Sequence, residues 1–369
     1  MKTEIKSLTG LRGFAALWVV IVHSGLYSKQ GRLANYLFVE RFVGFGVIAV
    51  DIFFMLSGYV LFDSYQKKFS TYNKIEIKDF IIKRFARIYP LYITLLLIVI
   101  LLRTTHLLSA SPFLPEFIAT DWLPNILLLQ NVFLIPSIIG SAWSLSSEWI
   151  MYFLFPGILF MITTYPKKSL IAFPLIIVLF RCIDLSILHI PITFNTMLHV
   201  GFESSNGIPS LTRSLISFIL GMTLSKWKDA LSGLHLYRFS LIFIASLLII
   251  GCLFSIDKSW YFCIFILNPL ILLSLNEDLG LGAKLLSGKF IYKIGVYSYS
   301  LYLLHVLFMD KFKDTIYFKL KGITFLKPVA SPLSIVMTTI VVIFVSKFFY
   351  DRIEVPGKKI VMNYFNKNK

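Results

Sequence analysis

LTGLRGFAALWVVIVHSGLY, residues 8–27, is apolar for long enough to cross a bilayer, yet it carries Arg12 and His23. These two lie 11 positions apart, which on an α-helix is about 16 Å along the axis and within roughly 20° of one face. Ionisable groups inside a span are costly unless they face a protein interior or a water-filled cavity. One stripe of this helix therefore offers a fixed cation at one level and a titratable base at another. The competing reading is an arginine that snorkels to the interface and a histidine that only packs.

The rest of the chain has the same character. Of its 369 residues 57% are hydrophobic and 15% are charged, against roughly 25% charged in a soluble domain. The expected fold is all-α, a polytopic membrane bundle. Ten apolar runs can be drawn, at about 8–28, 43–62, 85–104, 143–164, 169–188, 211–225, 238–254, 260–276, 291–309 and 331–349. Residues 122–138 form a possible eleventh, partial one, expected to be re-entrant or superficial. The net charge of +17 lies between the runs and is not gathered into a nucleic-acid face. About two thirds of the Lys and Arg fall on one side when both termini are put in the cytoplasm. The loop 310–330, with five lysines, is the exception. It is expected to be solvated, or to meet an acidic polymer. Cys182, Cys252 and Cys263 have no metal-ligand spacing and read as core thiols. The first run is too long for a cleaved signal and reads as an uncleaved anchor.

In the second run, residues 44–62, Asp51 is flanked by apolar residues and Ser57-Gly58 permits close helix approach. Because this helix runs opposite to the first, Asp51 could reach the depth of His23 and fix its tautomer, or pair with an arginine. Arg84 and Arg87 stand one turn apart after an amphipathic inner loop, forming a fork suited to phosphate as well as an inner anchor. Pro90 is expected to kink the third helix near its start. In AWSLSSEWIMYFLFP, residues 142–156, Ser144 and Glu148 share a face among Trp143, Trp149 and Tyr152. Such a cluster suits a sugar, with helix capping by Ser144 or Ser146 as the plainer reading. Arg181 and Asp184 are spaced to pair, and His189, His199, Glu203 and Asn206 read as loop residues. Arg213 opens the sixth run and is expected to hold a substrate or a carboxylate. Ser298, Tyr302 and His305 form a polar stripe on the ninth run.

Taken together these pieces resemble the membrane-embedded acyltransferase 3 family over nearly the whole chain. The resemblance rests on LTGLRGFAALWVVIVH at 8–23, VDIFFMLSGYVL at 50–61, KRFARIYPLY at 83–92 and WSLSSEWIMYFLFP at 143–156. FILGM at 218–222, IGVYSYSLYLLH at 294–305 and IEVP at 353–356 follow in order. Lys83, where a further arginine is frequent, and Ser147 before Glu148 depart from the usual pattern. The resemblance implies one multi-pass domain of the bacterial inner membrane, too short to carry the extracytoplasmic hydrolase domain fused to some members. It implies transfer of an acyl group, most often acetyl from acetyl-CoA and with no metal, to a sugar hydroxyl of a surface glycan such as lipopolysaccharide O-antigen or exopolysaccharide. By position, the family's essential histidine falls on His23, its helix-one arginine on Arg12 and its arginine pair on Arg84 and Arg87. The expected roles are His23 as base with Glu148 or Asp51 orienting it. Arg12, Arg84 and Arg87 would hold the coenzyme, and Trp143, Ser144, Tyr152, Tyr302 and His305 the acceptor. A succinyl donor is the alternative within this class. A glycan flippase is the alternative outside it, although the inverted repeats of many transporters are not evident.

Overall fold

The computed structural model describes residues 4–26, 46–68, 74–105, 114, 116–187, 207–254, 258–309 and 311–367. Their regular structure is helical, with no strand among the described residues. The first half provides α1 (Lys6–Leu26), α2 (Gly46–Tyr65), α3 (Lys74–Thr104), α4 (Ala142–Thr164) and α5 (Pro166–Ile187). The second provides α6 (Gly207–Leu231), α7 (Ser240–Phe254), α8 (Ile264–Leu275), α9 (Gly280–Leu286), α10 (Lys289–Val296), α11 (Ser298–Leu304), α12 (Lys311–Lys321), α13 (Ala330–Phe349) and α14 (Val355–Lys367).

Among the described residues six helices are long and apolar enough to cross a membrane, or seven if α8 and α9, bent by 85°, count as one span. Ten were expected. Hydropathy registers apolar runs, whereas spanning also requires an unbroken helix. The run 291–309 divides at Tyr297 into α10 and α11. With 15 residues α7 is about 22 Å long, short of a hydrocarbon core of about 30 Å. The third run corrects the expectation in the other direction. Its helix begins at Lys74 and passes through Pro90, so the amphipathic inner loop is its first third and Arg84 and Arg87 lie in mid-helix. Residues 119–141 make no spanning helix, only a 3₁₀ turn, a five-residue helix and turns. Irregular backbone at membrane depth must be satisfied by protein, and buried amides do this. Asn125 Nδ2 donates to the Asp121 carbonyl at 2.8 Å, Asn131 Nδ2 to the Trp143 carbonyl at 2.8 Å, and Tyr92 donates to the Asn125 carbonyl at 2.7 Å.

Apolar burial cannot drive association between helices already in lipid, so small residues that admit close packing decide which helices meet. A Cβ on Gly58 would stand 2.1 Å from the Phe218 carbonyl oxygen, and one on Gly221 2.0 Å from that of Met55. Thus α2 and α6 touch backbone to backbone, as Ser57-Gly58 suggested. In the same way a Cβ on Gly295 would come within 1.9 Å of the Thr9 carbonyl oxygen, and α10 clasps α1. On the other side of the bundle Phe80 of α3 stacks on Phe155 of α4 with centroids 4.9 Å apart. The basic loop is also corrected: 311–321 is α12, and Lys313 is buried, donating to the Ser24 carbonyl at 3.2 Å. A cation on a terminal carbonyl of α1 complements the helix dipole.

Candidate active site

These contacts leave a cavity of about 480 Å³ between α1, α2, α3, α4, α10 and α11, to whose lining α14 adds Lys358. Its lining is mixed in charge. Arg12, Arg84, Arg87 and Lys358 contribute cations, Glu4 and Glu148 carboxylates, and Ser57, Ser144, Tyr152, Tyr299 and Tyr302 hydroxyls. The 16 Å helical offset between Arg12 and His23 therefore begins in this cavity.

Glu148 accepts the Tyr152 hydroxyl at 2.5 Å and the Ser57 hydroxyl at 3.1 Å. Arg84 lies 5.7 Å from the centroids of both Tyr152 and Phe80, and its buried Nε has no hydrogen-bond partner. Arg87 is held at 2.7 Å by Glu354, whose other oxygen accepts Ser300 Oγ at 2.6 Å. The sequence reading set the arginine pair at the inner face and Glu148 at the outer end of its span. In the fold they line one space. Mid-helix placement in α3 brings the guanidiniums inward, and Glu148 lies nearly two turns inside α4.

Around the cavity the polar stripe of α11 continues as expected. Tyr302 lines the space and Ser144 Oγ is 2.8 Å from its hydroxyl. His305, fully buried, sits behind it with Nε2 2.8 Å from His23 Nδ1. His23 and His305 are therefore not in the cavity lining but are joined to it through Tyr302. This revises His305, which was expected to touch the acceptor.

Two other candidates sit elsewhere. Asp51 is ion-paired at 3.3 Å with Arg213, both fully buried, and accepts Ser217 Oγ at 3.3 Å. So Arg213 holds a carboxylate, one of the two expectations for it. Trp143 is buried with its ring 4.9 Å from the Arg213 guanidinium and 6.5 Å from Phe54, which uses its face for packing, and it is absent from the cavity lining. The helix cap is also reassigned, since α4 follows Ser141, while Ser146 Oγ donates to the Leu128 carbonyl at 2.9 Å. The side chains of Arg181 and Asp184, and residues 189–206, lie outside the described residues. Sequence reasoning missed Ser57, Tyr299 and Lys358 as cavity residues and gave Glu354 no partner. Its place in the IEVP piece at 353–356, just past the last apolar run, was the available signal.

Comparison with known proteins adds the following. The acyltransferase domain family matches residues 5–349. Acyltransferase MdmB of Streptomyces mycarofaciens is 36% identical over 167 residues, 42% of this chain and 38% of that protein. Peptidoglycan O-acetyltransferase OatA of Listeria monocytogenes is 25% identical over 213 residues, 54% of this chain and 32% of that protein. A Staphylococcus aureus (strain COL) protein, SACOL0978, whose name assigns it provisionally to O-acetyl transfer, is 26% identical over 325 residues, 82% of this chain and 50% of that protein. The chain thus spans a third to a half of the length of these relatives. No solved structure matches it significantly.

Proposed function

The chain belongs to the acyltransferase domain family, and from that premise we propose that it transfers an acetyl group from cytoplasmic acetyl-CoA to a sugar hydroxyl of a cell-surface glycan. The observation that carries this reading is the cavity in which four cations, two carboxylates and a run of hydroxyls face one another beside a bonded histidine pair, His305 buried and His23 half-buried. An anionic donor and a hydroxylated acceptor need that mixture at one place. Arg84, with an orphaned Nε, and Lys358 suit the donor's phosphates. Ser144, Tyr152 and Glu148 suit a sugar.

On this reading His23 acts as general base. It removes the proton of the acceptor hydroxyl as the oxygen attacks the thioester carbonyl. The new C–O bond forms, the C–S bond breaks, and the thiolate leaves with the proton that His23 held. Arg12 steadies the donor part-way along the same stripe of α1. Glu148, already accepting two hydroxyls, fits a role in holding the acceptor.

The deciding experiment compares surface glycan by mass spectrometry with and without the protein, alongside CoA binding by the purified chain. An increment of one acetyl per modified unit together with CoA binding is expected. Neither signal would be seen for a flippase.

The donor site has its own test. Lysine keeps the charge of an arginine but loses its planar fork. Arg84→Lys is expected to weaken CoA binding about tenfold, equal to about 1.4 kcal/mol, measured by calorimetry in detergent. Unchanged affinity would leave Arg84 as a packing residue over the Phe80 and Tyr152 rings.

A further inference from the structure

The two histidines determine each other's tautomers. His305 Nδ1 lies 2.5 Å from the main-chain oxygen of Tyr302. A carbonyl oxygen only accepts, so the hydrogen is on His305 Nδ1. A neutral imidazole has a single N–H, which leaves a lone pair on His305 Nε2. That atom is 2.8 Å from His23 Nδ1, so His23 Nδ1 must be the donor. The second nitrogen of His23, Nε2, is then the one with a lone pair.

Ring geometry supports a true bond over a face-to-face stack. The rings are parallel within 4° and their centroids are 5.0 Å apart, close to the 2.8 Å bond plus two ring radii, a sum reached only when the rings lie nearly edge to edge. Their common plane therefore contains the hydrogen bond, as a strong one requires. A doubly protonated His305 would reverse the assignment. However, His305 is fully buried, where an imidazolium without a bonded carboxylate is costly.

We infer that His305 is a positioning residue that fixes His23 as the Nδ1–H tautomer, so that Nε2 is the atom that takes the acceptor's proton. The relay runs from the Tyr302 carbonyl through His305 to His23. It orients the base as a buried carboxylate does in a hydrolytic triad, but without adding an anion beside a developing alkoxide. When Nε2 gains the proton, His305 Nε2 continues to accept from Nδ1–H and remains neutral. The role in transfer rests on the proposed acyl-transfer reading, whereas the tautomer does not.

The test uses the full-length chain in detergent with ring-15N histidine. Only six histidines are present, and the His23 signals are assigned by their loss in His23→Gln. A hydrogen on Nδ1 and none on Nε2 is expected. In His305→Phe, which keeps bulk and removes the acceptor, His23 should revert to a tautomer mixture, with transfer falling about tenfold or more, a part of the 10²–10⁴ that a general base supplies. His305→Gln offers an amide oxygen to Nδ1–H and should restore both the tautomer and most of the rate. An Nε2–H tautomer in the native chain would overturn the inference, even if the phenylalanine variant fails to fold. So would a glutamine variant with the tautomer kept and the rate lost. A native chain with the stated tautomer and no transfer activity would instead overturn the functional reading.

Discussion

His23→Ala is expected to lower acyl transfer by about 10²–10⁴-fold, the usual contribution of a positioned general base, while the protein stays folded and inserted. The expectation of intact folding comes from where α1 gets its hold. Its clasp is the backbone approach of α10 at Thr9 and Gly295, and its far end is held by Lys313 on the Ser24 carbonyl. Neither involves the imidazole. What the substitution leaves behind is His305 without its partner, a loss of about 1–3 kcal/mol for an unsatisfied buried group. That is tolerable, and the variant should be recovered at near-normal yield. Donor affinity should also hold, since the cations that suit the donor line the cavity and His23 does not. Initial rates on acceptor glycan, with CoA binding measured on the same preparation, check both halves. A variant within twofold of the native rate would remove His23 from the chemistry. Parallel loss of CoA binding would instead point to damage to the cavity.

What could be read in advance divides along the range of the interaction. Spacing within one helix is a local property, and parts of the stripes it predicts line the cavity, although His23 and His305 do not. Arg12 lines the cavity on α1, the α11 stripe runs from Ser298 to His305, and Glu148 bonds Tyr152 one turn on. Which stripes meet is a tertiary property. For Asp51 two partners were open, His23 at the same depth or an arginine, and the fold chooses between them by pairing the carboxylate with Arg213, 162 positions along. Helix rotation, set by the Gly58 and Gly221 contact, decides this, and periodicity does not encode it. Arg87 is similar. Its fork reads as free for phosphate, and the fold pairs it with Glu354, 267 positions away. Lys358 lies beyond the family match, which ends at 349, and Glu354, although part of the IEVP piece at 353–356, had neither a partner nor a role in that pattern.

The second large effect concerns stability. Asp51→Leu is expected to destabilise the protein by about 3–5 kcal/mol, the usual consequence of removing one partner from a buried ion pair. Asp51 and Arg213 are both inaccessible to solvent, and they sit between α2 and α6, whose backbones touch at Gly58 and Gly221, so the helices cannot part to admit water without breaking that approach. Arg213 would keep its place against the Trp143 ring at 4.9 Å, but a cation–π contact of this kind contributes only about 2 kcal/mol when desolvated. The companion variant Asp51→Leu/Arg213→Met removes both charges and keeps apolar volume, and such replacements are often neutral or better. The double variant should therefore recover most of the loss, giving a favourable coupling of about 3 kcal/mol or more in a thermal-unfolding cycle in detergent. Transfer activity then separates structure from chemistry at Asp51. If the carboxylate only pairs with Arg213, the double variant regains activity along with stability. If it serves the reaction, as its place in the second helix first suggested, the double variant is stable and remains inactive. Single variants as stable as the native chain would show that this ion pair does not hold α2 against α6.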